Sequence, residues 1–124
     1  MPLIKKEKLK NTLEILNNIG EVRGSSVIST DGLCIESAMG EDNDVETIAA
    51  MTAAMQGAAE TAVFELKQGN LKQIIVGADK GKIIAISAGD GAILVILTTP
   101  KINLGLALFE LRKASRKISN ILGE

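Results

Sequence analysis

The sequence of 124 residues contains no histidine, no tryptophan and no tyrosine. Without histidine the chain lacks the commonest general base and metal ligand, which excludes the usual Ser-His and Cys-His nucleophile arrangements. The single cysteine, Cys34, allows no disulfide within the chain and, with histidine absent, no ordinary structural zinc site. The sequence therefore predicts a protein that is not an enzyme, with no catalytic residues, no cofactor and no metal.

Aromatic residues are almost as scarce, because Phe64 and Phe109 are the only two. Each falls within a helical pattern of apolar residues, so both are predicted to lie in the core. Cys34 falls within a strand and is predicted to be a small buried hydrophobe. Proteins that bind single-stranded nucleic acid need exposed aromatic side chains for base stacking. Since the net charge is also only −1, no nucleic-acid partner is expected.

Long hydrophobic runs are absent as well. No segment reaches the ~18 uncharged apolar residues that a membrane span requires, and the longest apolar run, at 48–59, ends at Glu60. The first ten residues include four lysines and no apolar run, so no signal peptide is predicted. These features, with the single cysteine, predict a cytoplasmic protein with no membrane insertion.

Three short stretches imitate ligand-binding motifs without meeting their spacing. GADKGK at 77–82 is one residue short of a phosphate-binding loop and lacks Ser or Thr after its lysine. GDG at 89–91 has no third glycine and precedes a strand rather than a helix. The acidic residues at 41–44 lack the glycine and the glutamate that complete a calcium loop. We interpret the first two stretches as turns and the third as the start of a helix.

The periodicity of apolar residues predicts the element order α-β-β-α-β-β-β-α. The predicted helices cover 4–19, 43–68 and a segment that begins at 99–100, and the predicted strands cover 25–30, 33–38, 71–78, 82–88 and 92–98. Asp31-Gly32 predicts a type I′ turn between the first two strands. The middle helix is predicted to begin at Asn43 or Asp44, with Asn43 as N-cap placing Glu46 at N3, and Thr99 is the predicted N-cap of the last helix.

Continuous apolar runs at 83–86 and 93–97 indicate strands that are buried on both faces. The short connections between these strands require antiparallel pairing. The predicted fold class is therefore α+β, an α/β/α sandwich in a single domain over residues 1–124. A five-stranded antiparallel sheet carries the two outer helices on one face and the middle helix on the other.

The middle helix has no water-facing side, which is unusual for a helix at a surface. One row of residues is predicted to lie on the sheet: Val45, Ile48, Thr52, Met55, Ala59, Ala62 and Leu66. The remaining rows are uncharged and mostly small, and they form a predicted dimer interface: Ala50, Met51, Ala53, Ala54, Gly57, Ala58 and Thr61. Small side chains at i, i+4 let two helix backbones approach closely, so we predict a homodimer. The alternative is a helix buried only by its own sheet and loops.

Four segments, taken in order, resemble the Roadblock family: GEVRGSSVISTDGLCIESA, VETIAAMTAAMQGAAETA, IIVGADKGKIIAISAGDGAILVILT and NLGLALFELRKASRKI. The resemblance extends from about Lys8 to Leu122. It implies pairing through the middle helix and the strand after it, which adds Leu71, Gln73 and Ile75 to the predicted interface. It also implies a non-catalytic scaffold, exchange platform or activator that binds a Ras-like small GTPase.

The predicted partner surface consists of the loops beside the paired helices, with Glu41, Asp42 and Asp44. The main alternative is a structural adaptor or assembly subunit of motor or cargo type with no nucleotide dependence. A third hypothesis is binding to an anionic surface through the basic outer helices, at Arg112, Lys113, Arg116 and Lys117. A small enzyme or ligand sensor is the fourth, and the missing histidine and aromatic residues argue against it.

Overall fold

The computed structural model describes residues 2–124 and has three helices and five strands in the predicted order. The helices are α1 (Pro2–Asn17), α2 (Val45–Glu65) and α3 (Leu104–Leu122). The strands are β1 (Val22–Ser29), β2 (Cys34–Ala38), β3 (Ile74–Ala78), β4 (Gly81–Ser87) and β5 (Ala92–Thr98). The predicted fold class is thereby confirmed.

The five strands form one antiparallel sheet in the order β2-β1-β5-β4-β3. The central strand β5 is buried from Ala92 to Ile96, as its continuous apolar run predicted. The edge strands are β2 and β3, and each has five residues.

Alternate residues of β5 belong to two separate cores, because successive side chains of a strand point to opposite faces. Leu94 and Ile96 join the larger core, which α1 and α3 cover with residues such as Leu13, Leu111 and Ile118. Ile93 and Val95 join a smaller core beneath α2: Ile28, Ala49 and Ala85 complete it. The sandwich therefore has the predicted layers, with two helices on one face and one on the other.

Of the two predicted starts of α2, Asn43 and Asp44, the structure has the second. Asp44, rather than Asn43, is the N-cap, and its carboxylate accepts hydrogen bonds from the Thr47 backbone N–H at 3.2 Å and the Thr47 hydroxyl at 2.8 Å. Thr47 supplies both donors, so this carboxylate replaces the predicted capping pair of Asn43 and Glu46. The helix also ends at Glu65 instead of 68.

The predicted start of the last helix is wrong. The helix begins at Leu104, and the side chain of Asn103 caps it by accepting a hydrogen bond from the Leu106 N–H at 3.1 Å. The Thr99 hydroxyl instead donates to the Glu21 carboxylate and accepts from the Lys101 N–H. These two bonds hold the segment before α3 in a turn, so the helix does not start there.

The hairpin of β1 and β2 is confirmed, but its turn is not type I′. Gly32 has a φ of +89°, whereas Asp31 has no positive φ. The Gly32 N–H donates to the Ser29 carbonyl at 3.0 Å, and the Ser29 N–H donates to the Leu33 carbonyl at 2.8 Å. This pattern fits a three-residue loop in which a type I turn precedes a left-handed glycine.

Three residues that were predicted to be buried are exposed. Phe64 is 77% exposed and Phe109 is 58% exposed. Cys34 lies on the edge strand β2 and is also exposed. Phe109 is on the outer side of α3, away from the buried Ala107 and Leu111. For Phe64 the prediction failed because an apolar pattern does not show that the last turns of α2 leave the sheet, and for Phe109 because it does not show which side of α3 faces outward.

Candidate protein-interaction surface

The rotation of α2 about its axis decides which residues meet the sheet. Ala49, Thr52 and Gln56 are its buried residues, and Gln56 donates from Nε2 to the Ser87 Oγ at 3.0 Å. Ala62 and Leu66 had been predicted to lie on the sheet, but both are exposed. The last turns of α2 leave the sheet, since between 60 and 65 only residue 63 is partly buried.

The outer side of α2 carries the small residues that were predicted to pair with a second helix. Those that are exposed are Ala50, Met51, Ala54, Gly57, Ala58 and Thr61. No heavy atom lies within 4 Å of a Cβ built on Gly57, so nothing among the described residues covers the helix there. Ala53 is partly buried, and its Cβ lies 3.7 Å from a Cβ built on Gly32 in the hairpin turn.

The strand β3 presents the open edge of the sheet. It pairs only with β4 among residues 2–124, and Ile75 on it is 40% exposed. The predicted strand began too early, so Leu71 and Gln73 lie in the segment that connects α2 to β3, and both are partly buried. The Gln73 Oε1 atom is buried and has no hydrogen-bond partner in the described part of the chain.

The opposite edge of the sheet, β2, is occupied by side chains. Lys10 donates from Nζ to the Ser37 carbonyl at 2.6 Å, and Asn17 donates from Nδ2 to the Ala38 carbonyl at 2.7 Å. The Ser37 N–H donates to the Glu36 Oε1 at 2.9 Å. A bulge between β1 and β2 adds to this protection. Such devices hinder the addition of another strand, so the sheet is open at β3 and protected at β2.

The three acidic residues of the predicted partner surface lie before α2. Glu41 and Asp42 are exposed, and neither forms a salt bridge or side-chain hydrogen bond among the described residues. The Asp44 carboxylate caps the helix, and the hydrogen bonds from Thr47 hold the pKa of this carboxyl below its ordinary value. The arrangement leaves Glu41 and Asp42 as the carboxylates with free acceptor positions.

Charge is divided between the two faces of the sandwich. Residues 41–67, which contain α2, carry six acidic side chains and one lysine, whereas α1 and α3 together carry eight lysines and arginines against three glutamates. The protein therefore has an acidic α2 side and a basic outer-helix side, although its net charge is only −1. The sequence showed the uneven distribution, and the fold places the two signs on opposite faces.

Within residues 2–124 no group of three or more His, Cys, Asp or Glu side chains is placed to hold a metal ion. Over the same residues, every helix is too short or too polar to cross a bilayer.

The element order and the sheet topology define a class of three-layer α+β domains with one helix on one face and two on the other. A family model described as the Roadblock/LC7 domain matches residues 8–98. This chain therefore belongs to the Roadblock/LC7 family, whose members are regulatory or adaptor proteins rather than enzymes. The resemblance read from the sequence is confirmed.

Three known proteins resemble this chain in sequence or in fold. The uncharacterized protein MJ1340 of Methanocaldococcus jannaschii is 40% identical over 103 residues, which are 83% of this chain and 90% of that protein. The structure of Myxococcus xanthus MglB superposes with a TM-score of 0.86 at 19% identity, covering 94% of this chain and 89% of MglB. A structure described as MglB with tetrameric arrangement gives a TM-score of 0.85 at 16% identity with the same coverage. These two structures share the fold of this chain.

Proposed function

We propose that this protein is a non-catalytic homodimeric module that binds and regulates a Ras-like small GTPase, as a scaffold or as an activating partner. The observation that carries the proposal is the continuous uncharged surface formed by the outer side of α2 and the adjoining open edge at β3. In this proposal residues 1–124 act as one domain in the cytoplasm.

A twofold axis beside β3 would cover both the uncharged outer side of α2 and the open edge of the sheet at β3. Pairing β3 with its copy joins two five-stranded sheets, and the two α2 helices then lie on the same face of the joined sheet. The small side chains of Ala54 and Gly57 permit close approach of a second helix, whose larger residues, such as Met51, fill the space beside it. Because such an interface is self-complementary, no other protein is needed to complete it.

The difference between the two edges of the sheet supports the same dimer. Strand addition at β2 would displace the hydrogen bonds that Lys10 and Asn17 donate and the one that Glu36 accepts, whereas addition at β3 displaces none among the described residues. The tetrameric arrangement named for an MglB structure supports assembly as a property of this fold.

The GTPase part of the proposal rests on membership of the Roadblock/LC7 family and on the resemblance seen in the sequence. A dimer would present two copies of Glu41 and Asp42, one at the N-terminus of each α2. These carboxylates suit a partner surface that carries lysine or arginine. Without a catalytic residue, this protein would regulate its partner by binding one nucleotide state, or the transition state of GTP hydrolysis, more tightly than the other states.

The test is binding of this protein to Ras-like GTPases recovered from its own cells, each loaded in turn with GDP and with a non-hydrolysable GTP analogue. The variant Glu41→Lys/Asp42→Lys is compared with Glu14→Lys, which changes an exposed glutamate on α1 across the sheet. We expect nucleotide-sensitive binding that the double variant weakens by about tenfold or more and that the control leaves unchanged.

The adaptor hypothesis gives a different result in the same experiment. A partner without a GTPase fold, bound equally in GDP, in the GTP analogue and without nucleotide, would assign this protein to structural assembly. Recovery of no GTP-binding protein in any nucleotide condition would contradict the proposed regulatory role.

A further inference from the structure

Both aromatic residues of this chain lie at the surface, and they lie beside charges of opposite sign. Phe64 is 77% exposed on α2 between the exposed Glu60 and Glu65. Phe109 is 58% exposed on α3, and the Lys113 ammonium lies 5.8 Å from the centre of its ring.

A groove between α1 and α3 adjoins the second of these aromatic residues. Leu16 and Ala114 are buried at its base, and Ile15, which is 57% exposed, forms one wall. Lys113 and Lys117 line the other side. The groove has a volume of about 190 Å³. An apolar cavity of ~150 Å³ accepts benzene, so the groove is large enough for one aromatic ring.

The charge around the groove is mainly positive. Glu110 also lines it, and its carboxylate lies 3.9 Å from the Lys113 Nζ, so this negative charge is partly neutralised. Lys117 forms no salt bridge in the described part of the chain, nor do Arg112 and Arg116 on the same helix. An occupant that carries carboxylates beside its apolar group therefore complements the rim.

The last turns of α2 have the chemistry that this groove requires. They bear one exposed ring, Phe64, with Glu60 one helical turn before it and Glu65 directly after it. Since α2 and the groove lie on opposite faces of the sheet, Phe64 cannot reach the groove of its own molecule. A second copy of the chain can supply it.

We propose that Phe64 of one molecule inserts into the groove between α1 and α3 of another, with Glu60 and Glu65 facing Lys113 and Lys117. The contact is a helix in a groove, and its two sides are different surfaces of the same chain. Such a head-to-tail contact does not close on itself as a twofold contact does. It therefore extends dimers into larger assemblies.

The contact requires neither the proposed pairing through α2 nor any GTPase. Phe64 is not among the residues of the predicted dimer interface, although it follows Gly57 and Thr61 on the same side of α2. The two associations are separated experimentally by the variant Ala54→Glu, which blocks the twofold pairing and leaves both sides of the head-to-tail contact unchanged.

The test is sedimentation velocity of the full chain at concentrations up to about 1 mM, the range of weak specific contacts. Three variants remove one component each: Phe64→Ala, Glu60→Lys/Glu65→Lys and Lys113→Glu/Lys117→Glu. The matched controls are Leu33→Ala, which removes an exposed apolar side chain elsewhere, and Lys80→Glu/Lys101→Glu, which makes the same charge change away from the groove. Circular dichroism checks that each variant is folded.

We expect the wild-type sedimentation coefficient to rise with concentration beyond that of a dimer, and to rise less at high salt. Each of the three variants should weaken this association by about tenfold or more, while the controls retain it. An equimolar mixture of the two charge-reversed variants should associate again, because each supplies the charge that the other has lost. The Ala54→Glu protein should still associate, starting from monomers.

Two results overturn the proposal. One is a wild-type protein that shows no concentration-dependent association up to the same limit. The other is association that Phe64→Ala leaves unchanged or that the mixed variants fail to restore. If the lysine variant instead loses binding to vesicles with anionic lipid while the wild type does not self-associate, the groove belongs to a lipid surface.

Discussion

The Gln56 Nε2 atom donates a hydrogen bond to the Ser87 Oγ at 3.0 Å, and this bond ties the middle of α2 to the end of β4. Gln56 is only 6% exposed, so its amide depends on partners within the protein. Ala49 and Thr52 are buried on the same side of α2 as Gln56, so Ala54 and Gly57 point outward. A polar side chain beneath the helix therefore helps to position the uncharged surface above it.

Ser87→Ala should lower the free energy of unfolding by about 0.5–1.5 kcal/mol, the net contribution of one hydrogen bond, because Ser87 is itself exposed. Urea denaturation at pH 7 measures the loss. The double variant Gln56→Ala/Ser87→Ala should show less than the summed loss of the two single variants. Strictly additive losses would mean that the two side chains are not coupled.

Gly57→Ala should have opposite effects on the monomer and on the dimer. In the single chain a Cβ at Gly57 meets no atom within 4 Å, and Ala is a better helix former by ~1 kcal/mol, so the monomer should become more stable. In a closely packed helix pair the added methyl group separates the backbones and weakens dimerisation. Denaturation of dilute protein and sedimentation equilibrium measure the two effects.

The control for this variant is Gly20→Ala, whose Cβ also meets no atom within 4 Å but which lies between α1 and β1, outside the proposed dimer surface. Ala54→Glu tests the same surface more severely and should give a monomer, since a carboxylate would be buried without a partner. Tighter dimerisation of the Gly57→Ala protein would contradict the close helix packing.

The N-cap carboxylate of Asp44 should make the stability of α2 depend on pH in the acidic range. Hydrogen bonds from the Thr47 side chain and backbone lower its folded-state pKa. The stabilisation is therefore present above the unfolded-state pKa of about 3.9 and is lost as the pH falls through the lower folded-state value. Asp44→Asn should cap the helix nearly as well while removing this dependence.

Acid titration followed by circular dichroism compares the wild type with Asp44→Asn and Asp44→Ala. The Ala variant should be less stable than the wild type at pH 7, and the difference should shrink below pH 3.9. Asp42→Ala, at a neighbouring exposed carboxylate, is the control. Equal destabilisation by Asp44→Ala at pH 7 and at pH 2 would exclude a role for the charge.

The exposed thiol of Cys34 should react slowly with alkylating reagents at neutral pH. Partial burial of the thiol raises its pKa, the Glu36 carboxylate raises it further, and Lys10 lowers it. Since only the thiolate reacts, Glu36→Gln should lower the pKa and speed alkylation, whereas Lys10→Gln should slow it. Iodoacetamide rates at pH 6 to 10 give each pKa, and equal rates for the three proteins would contradict this electrostatic account.

The sequence determined the element order, the two-sided burial of the central strands and the layers of the sandwich. Periods of 2 and 3.6 residues are local properties, so they are visible without the fold. The ends of the helices were harder to predict. Individual hydrogen bonds make Asp44, rather than Asn43, the N-cap of α2, and Asn103, rather than Thr99, the N-cap of α3. Those bonds depend on geometry between neighbouring residues, which composition does not show.

Only the tertiary structure decided which uncharged residues of α2 face outward and which edge of the sheet is open. The rotation of α2 depends on the contacts beneath the helix, such as that of Gln56 with Ser87, which lies 31 positions further along the chain. The protected edge depends on α1 side chains that reach the carbonyls of β2. Phe64 is exposed because the last turns of α2 leave the sheet, and Phe109 is exposed because it lies on the outer side of α3. These are contacts between distant parts of the chain, and a local apolar pattern contains no information about them.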